Sequence, residues 1–365
     1  MSLSWSRPLL VAAFVLAGCK SKPSAEPGAA PAPTPTRPAP APAAAVSGPA
    51  LSFLKPAGAD RCTWGRQPLP AGEPTLLLTF DAECSRSQIL FSPSGQEALA
   101  FSFSSGPGVP PKMWRVDVAA KSGKPVELKG LPFGAGERPY TPTVRGVGFD
   151  AQGRPVALVA LEYALAEGDA LTFEGESVPV KKGEGTPGLA AAYRLEGAEW
   201  KRFELAATSY SDEGEPGTEA LDAAKTLQGS TGDLAESLPG ADASEADAQK
   251  LSAAVPGLEA SGKWRALPLP GGPLYYRGAV DDADASVYSA GPLRWEKGGK
   301  LEEPEGVTAQ PDAAVELRLR GDMLLVFVLG AESRSAHVFD ARTKKKLVSV
   351  VGIDSVTFWP EPRKH

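Results

Sequence analysis

The chain has 365 residues, 42% of them apolar and 22% charged, a balance that supports a sizeable folded core. Its net charge of −6 argues against a nucleic-acid partner, which needs clustered cations to neutralise phosphates. With two histidines and three cysteines, the material for metal sites or histidine-dependent catalysis is sparse.

The first 18 residues carry one cation, Arg7, and an apolar run beginning at Leu9 and ending at Leu16. That run is about half the roughly twenty residues a spanning helix needs, and it suits the core of a secretory signal. It closes on Leu16-Ala17-Gly18-Cys19, which resembles the signal peptide and lipobox of bacterial lipoproteins. The resemblance implies cleavage after residue 18, acylation of the Cys19 thiol and its new amino group, and a lipid bilayer as partner. Three acyl chains hold far more firmly than one. Lys20, where inner-membrane retention would use aspartate, points to the outer membrane of a Gram-negative envelope, at its periplasmic face or the cell surface. The competing reading is an ordinary cleaved signal with an incidental Cys19.

Residues 19–50 form the next region. From Ser21 to Ala50 the sequence is almost wholly Ala, Pro, Ser, Gly and Thr, which favours extended polyproline II and reaches about 90 Å. It reads as a tether, with a PxxP ligand as the alternative. With Cys19 lipidated, Cys62 and Cys84 remain as a pair. An oxidising compartment makes a disulfide the expected state, against two free buried thiols.

From Leu51 to the C-terminus, the expected folded domain, short alternating runs separated by turn residues predict an all-β fold. Three hairpins share one layout. Ile89-Leu90-Phe91 turns through Ser92-Pro93-Ser94-Gly95 into Ala98–Phe101. Val147-Gly148-Phe149 turns through Asp150–Gly153 into Val156–Val159. Val315–Leu319 turns through Arg320-Gly321-Asp322 into Met323–Phe327. Second hairpins are expected from Trp114–Val118 with Val126-Glu127-Leu128, Ala192–Leu195 with Trp200–Phe203, and His337–Asp340 with Leu347–Val350. Leu293-Arg294-Trp295 with Lys300-Leu301 adds another. Two hairpins per unit make a four-stranded meander, the layout of a β-propeller blade, and about five to seven blades are expected.

The unit from Ile89 to Leu128 resembles TolB-like propeller repeats, with their Φ-x-F-S-P-D-G turn, apolar strand and later strand ending in Asp. Ser94 stands at the Asp position. The resemblance implies architecture rather than activity, and two β-sandwich domains are the alternative fold.

Two features lie outside the repeat. Ser355-Val356-Thr357-Phe358 is a lone final strand, expected to pair near the start of the domain, in the neighbourhood of Leu76–Phe80, so that the ring closes without a bare edge. Between Asp212 and Ala260 there are eleven acidic residues and two lysines. Ser244 with Asp247 suggests a helix cap, and Ala248, Leu251 and Val255 recur at helical spacing, as do Leu221, Ala224 and Leu227. Residues 212–260 are therefore expected to insert short helices between strands of one blade or across one end of the ring, either as a packed lid or docking surface or as a solvated loop.

Catalytic motifs fail on their own chemistry. Gly257 to Lys263 fits the spacing of a phosphate loop, but Trp264 stands where a Mg²⁺-binding hydroxyl is required. Asp281, Asp282 and Asp284 start like a calcium loop, yet Val287 and Leu293 occupy the glycine and glutamate places. These aspartates remain a weak metal candidate. His337 begins a strand with no nucleophile elbow near it and reads as a polar edge residue. Lys344-Lys345-Lys346 reads as a solvated hairpin tip. No catalytic residue and no cofactor is expected. The function read from the sequence is a membrane-anchored, non-catalytic scaffold binding an envelope protein or ligand. The alternatives are a propeller-type hydrolase of envelope glycans or phosphoesters near Asp281, and a structural component of the surface layer.

Overall fold

The structure, a computed structural model, describes residues 48–134, 137–163, 170–179, 186–210, 217–227, 241–255, 262–279, 289–290, 292–307, 314–330 and 333–360. Cys19, the expected tether to residue 47 and the Asp281–Asp284 cluster lie outside the described residues.

The alternating runs form antiparallel meanders. The first sheet contains β1 (Ala50–Pro56), β2 (Cys62–Pro68) and β3 (Thr75–Phe80). A single 3₁₀ turn, Cys84–Arg86, leads to the second, with β4 (Ser87–Phe91), β5 (Glu97–Ser102), β6 (Lys112–Asp117) and β7 (Ser122–Pro125). The third has β8 (Tyr140–Phe149) and β9 (Pro155–Tyr163), then a separate ribbon of β10 (Ala170–Phe173) and β11 (Glu176–Pro179), then β12 (Thr186–Glu196) and β13 (Glu199–Tyr210). Helices α1 (Asp222–Thr226) and α2 (Glu245–Ala254) follow, with β14 (Ala241–Asp242) between them. The fourth sheet joins β14 to β15 (Gly262–Leu267) and β16 (Leu274–Ala279). After β17 (Ser289–Ala290), which joins the fifth sheet, the fourth is completed by β18 (Arg294–Lys297) and β19 (Lys300–Glu302). The fifth continues with β20 (Ala314–Arg320), β21 (Met323–Leu329), β22 (Arg334–Asp340) and β23 (Lys346–Val351). The chain then reaches β24 (Ser355–Phe358).

β24 returns to the first sheet and sets its order as β24-β1-β2-β3. Leu51 pairs with Phe358 and Leu54 with Ser355, so the last strand of the chain closes on the first. The expected neighbourhood is corrected here: Leu76–Phe80 lies at the opposite edge of that sheet. The reason is burial. The run from Ala50 to Leu54 is buried throughout, as suits a strand paired on both sides, whereas β3 is buried only at Leu77 and Phe80 and forms the edge of its sheet.

Among the described residues, shared cores link four of the five neighbouring pairs of sheets. Leu54, Trp64 and Phe80 pack with Phe91, Ala98 and Val116 between sheets one and two. Leu99 and Phe101 pack with Val147, Val159 and Tyr193 between two and three. Leu274 and Trp295 meet Leu324 and Phe339 between four and five, and Leu51 and Phe358 meet Leu325 and Val338 between five and one. This is a β-propeller-like fold, with five principal sheets among the described residues.

Within the acidic insertion, α1 follows the last strand of sheet three, while α2 falls between β14 and β15, two paired strands of the fourth sheet, as the expectation of helices between strands of one blade has it. Leu221 and Ala223 cover Val156, Leu158 and Ala190 of the third sheet. Leu251 of α2 covers Trp264 and Tyr275 of the fourth. Both leucines are fully buried, so these helical stretches are packed. The cap forms as expected: the Asp247 N–H donates to Ser244 Oγ at 3.2 Å, and that hydroxyl donates to the Asp247 carboxylate at 2.7 Å. The hairpin partner of β6 also differs from expectation. It is Ser122–Pro125, because Lys121 adopts a left-handed turn conformation (φ 51°) and ends the loop early. Val126 and Leu128 pack on the core beyond the strand.

Candidate functional site: an open seam in the ring

Blades splay apart toward their outer strands, so each seam must be filled at the rim. Between sheets one and two, Phe80 meets Trp114 with ring centroids 4.9 Å apart, and Leu78 lies against Gly123. The Cys62–Cys84 disulfide, Cα–Cα 4.9 Å, ties β2 to the turn that precedes β4, as the cysteine count predicts. Between two and three, the Trp200 indole donates to the Glu127 carbonyl at 3.1 Å and its backbone N–H to Lys129 at 2.8 Å. Gly130 admits this approach: its φ is +92°, and a Cβ there would overlap the Trp200 carbonyl.

Between sheets four and five, the Gly271 N–H donates to Ala341 at 3.0 Å. The Lys344 ammonium donates to the Glu296 carbonyl, and Lys346 pairs with Glu305 at 2.9 Å. The expected solvated lysine tip is thus corrected. Lys344 is 6% exposed, and burial lowers its pKa. It is a strut across this seam.

The seam between sheets five and one is different. Its inner strands are sealed by Leu51, Val356 and Phe358 against Leu325 and Val338. Farther out it opens into a cleft of about 430 Å³ whose walls include Phe53, Lys55, Glu73, Leu76 and the run from Val348 to Val351. Leu76 and Val351 are each 62% exposed. Phe53 lies across the sheet over Gly65, where any side chain would overlap its ring. Gln67 donates to the carbonyls of Gly72 at 2.8 Å and Pro68 at 3.0 Å, fixing the turn that ends one wall.

Two β-bulges accompany this opening. The β2–β3 register shifts around Leu77, and the β22–β23 register shifts around Leu347. Bulges bend and twist the strands that carry them, here the outer strands of both neighbouring sheets. Successive side chains of a strand point to opposite faces. A cleft lined by four consecutive residues, Val348 to Val351, therefore runs along the edge of β23 rather than over one of its faces.

Other polar groups are used internally. His337 is 5% exposed and lies on β22, which is paired on both sides, so it is not an edge residue. Its ring nitrogens meet the hydroxyls of Ser335 at 3.0 Å and Ser349 at 2.9 Å. Burial, helped by Lys346, holds its pKa down at about 4. Glu316 on β20 is buried against Arg318, and burial pushes its carboxyl up to about 7. A smaller cleft, about 340 Å³, lies between sheets two and three beside Phe103 and Arg145. Among the described residues no three His, Cys, Asp or Glu side chains gather to hold a metal, and no helix is long and apolar enough to cross a membrane. Of the residues named in advance, the structure joins Cys62 and Cys84. The cleft escaped sequence reading because its walls are about 300 residues apart along the chain.

No family model matches the chain, and no curated protein matches its sequence. Among solved structures, TolB from Acinetobacter baumannii is 10% identical with a TM-score of 0.30, covering 86% of this chain and 67% of its own. A Bacteroides fragilis protein assigned as a 6-phosphogluconolactonase is 12% identical with a TM-score of 0.28, covering 87% and 99%. A similarly assigned protein from Bacteroides uniformis is 10% identical with a TM-score of 0.29, covering 85% and 99%. At such scores the likeness carries no weight of its own. The propeller-like assignment stands on strand order, closure and cores.

Proposed function

We propose that this chain is a lipid-anchored protein of a Gram-negative envelope, held at the outer membrane by acylated Cys19. Its β-propeller-like domain acts, at the end of a Pro/Ala tether, as a non-catalytic scaffold that binds another envelope protein. The observation that supports this reading is the open seam between the first and fifth sheets. Three other seams carry rim contacts out to their later strands, while this one leaves Leu76 and Val351 to solvent above an apolar cleft. Isolated exposed leucines and valines are ordinary; two of them facing one cleft support the seam as the contact surface.

The test is proximity crosslinking of the native protein in cells, with Cys19→Ala and Leu76→Asp forms alongside. The reading expects one envelope protein captured by the native form, reduced at least tenfold by Leu76→Asp and lost or redistributed when the anchor is removed. Capture unchanged by Leu76→Asp would refute the seam as the contact surface. Turnover of an envelope glycan or phosphoester by the purified chain would favour the hydrolase instead.

A further inference from the structure

The chemistry of the partner follows from the walls of the seam, on the premise that the seam is the docking surface. Among the described residues strand β23 pairs only with β22, which leaves its outer backbone edge without a partner strand there. Beyond the bulge at Leu347, its register is regular from Val348 to Val351, opposite Val338 to Ser335. That edge reads Val-Ser-Val-Val, without charge or proline. Three other outer strands are guarded: β7 carries Lys124 and Pro125, β19 is Lys-Leu-Glu, and β13 carries Lys201, Arg202 and Glu204; β3, Thr-Leu-Leu-Leu-Thr-Phe, shares the uncharged character of β23. Charges, prolines and shortness are how sheet edges avoid pairing with other chains, and this edge has none of them over four residues.

The opposite wall is a face rather than an edge. Phe53 and Lys55 alternate along β1, and Leu76 stands opposite Gly65 of β2 on the same side. Among the described residues neither Lys55 nor Glu73 forms an ion pair, so the cleft offers one cation and one anion to an occupant.

We infer that the seam receives an extended segment of another polypeptide, added as a strand to the edge from Val348 to Val351. Its apolar side chains at alternate positions rest on Phe53 and Leu76, and an acidic and a basic residue flank them to meet Lys55 and Glu73. Backbone hydrogen bonds supply affinity and alternate side chains supply selectivity, the general logic of strand addition.

The probe is a fluorescently labelled heptapeptide of alternating valine and threonine with a lysine at one end and an aspartate at the other. It is titrated in both sequence directions onto the full chain in detergent micelles. A second form carries N-methyl groups on alternate residues, which removes the N–H donors without removing side chains. Expected are saturable binding, a loss of at least tenfold with Leu76→Asp or Val351→Asp, and a similar loss on N-methylation. The double exchange Lys55→Glu, Glu73→Lys should reverse which direction binds better. Both single substitutions fall on side chains already in solvent, so loss of folding does not confuse the result. Absence of saturable binding in either direction overturns the inference. Binding that responds to Leu76→Asp but not to N-methylation also overturns strand addition while leaving the seam as a docking surface. Failure of the cellular capture test would instead remove the premise.

Discussion

The two seams that flank the first sheet are built differently. Toward the second sheet, packing continues from the Trp64–Phe91 contact at the inner strands to Phe80 on Trp114 at the rim, with a disulfide across it. Toward the fifth sheet, packing stops at Phe53 and Val350, and apolar side chains beyond them face water. One sheet thus carries a face finished for stability and a face left unfinished. Apolar area in solvent forgoes roughly 25 cal/mol per Å² of burial, and on the proposed reading a bound partner would gain at the open seam what the fold does not take.

Substitutions that separate these faces sharpen the comparison. The largest effect is expected at ring closure. Trp359 stacks on Trp64 with centroids 5.6 Å apart and meets Phe91 at 4.9 Å. Trp359→Ala should cost about 3–5 kcal/mol in urea denaturation, the usual range for a large buried aromatic. Next comes the sealed seam: Cys62→Ala with Cys84→Ala removes a crosslink spanning 22 residues and should cost about 3 kcal/mol. A loss under about 1 kcal/mol for either change would break the claim that closure and the first seam hold the ring.

His337 gives a pH-dependent effect of similar size. Its folded pKa, about 4, lies below the ordinary imidazole value, so between that value and pH 4 the unfolded chain binds the extra proton and stability falls as pH falls. The full shift corresponds to about 3 kcal/mol. Glu316, its carboxyl raised to about 7, opposes this by favouring the folded chain as pH falls, so His337→Gln should become progressively more stable relative to the native chain as pH falls between about 6.5 and 4, measured by denaturant midpoints. A difference between variant and native chain that does not change with pH would show that His337 does not titrate there.

The smallest stability effect is expected at the open seam. Leu76→Asp and Val351→Asp should shift stability by no more than about 0.5 kcal/mol, as surface changes do, while abolishing binding. A large stability loss from either would mean that the seam is closed in solution.

What was legible in the sequence follows from how local each signal is. The hairpin joining β4 to β5 was readable because alternation and the Ser92–Gly95 turn are both local; the Gly95 N–H donates to the Ser92 carbonyl at 2.8 Å. The α2 cap was readable for the same reason. The final strand was recognised but its partner was not, since pairing with β1 depends on burial that only the assembled ring creates. His337 and Lys344 were misread as surface groups because their partners, Ser349 and the Glu296 carbonyl, lie 12 and 48 positions away. The cleft joins Phe53 to Val351, and no spacing or motif connects them.

The most direct measurement is site-specific photocrosslinking in living cells, with a photoreactive amino acid replacing Val351 at the open seam or Lys124 at the rim of sheet two. The account predicts that position 351 captures a discrete envelope protein that position 124 does not, and that Leu76→Asp in the same chain removes the product. Equal capture from both positions, or none from position 351, would contradict the open seam as the working surface of this protein.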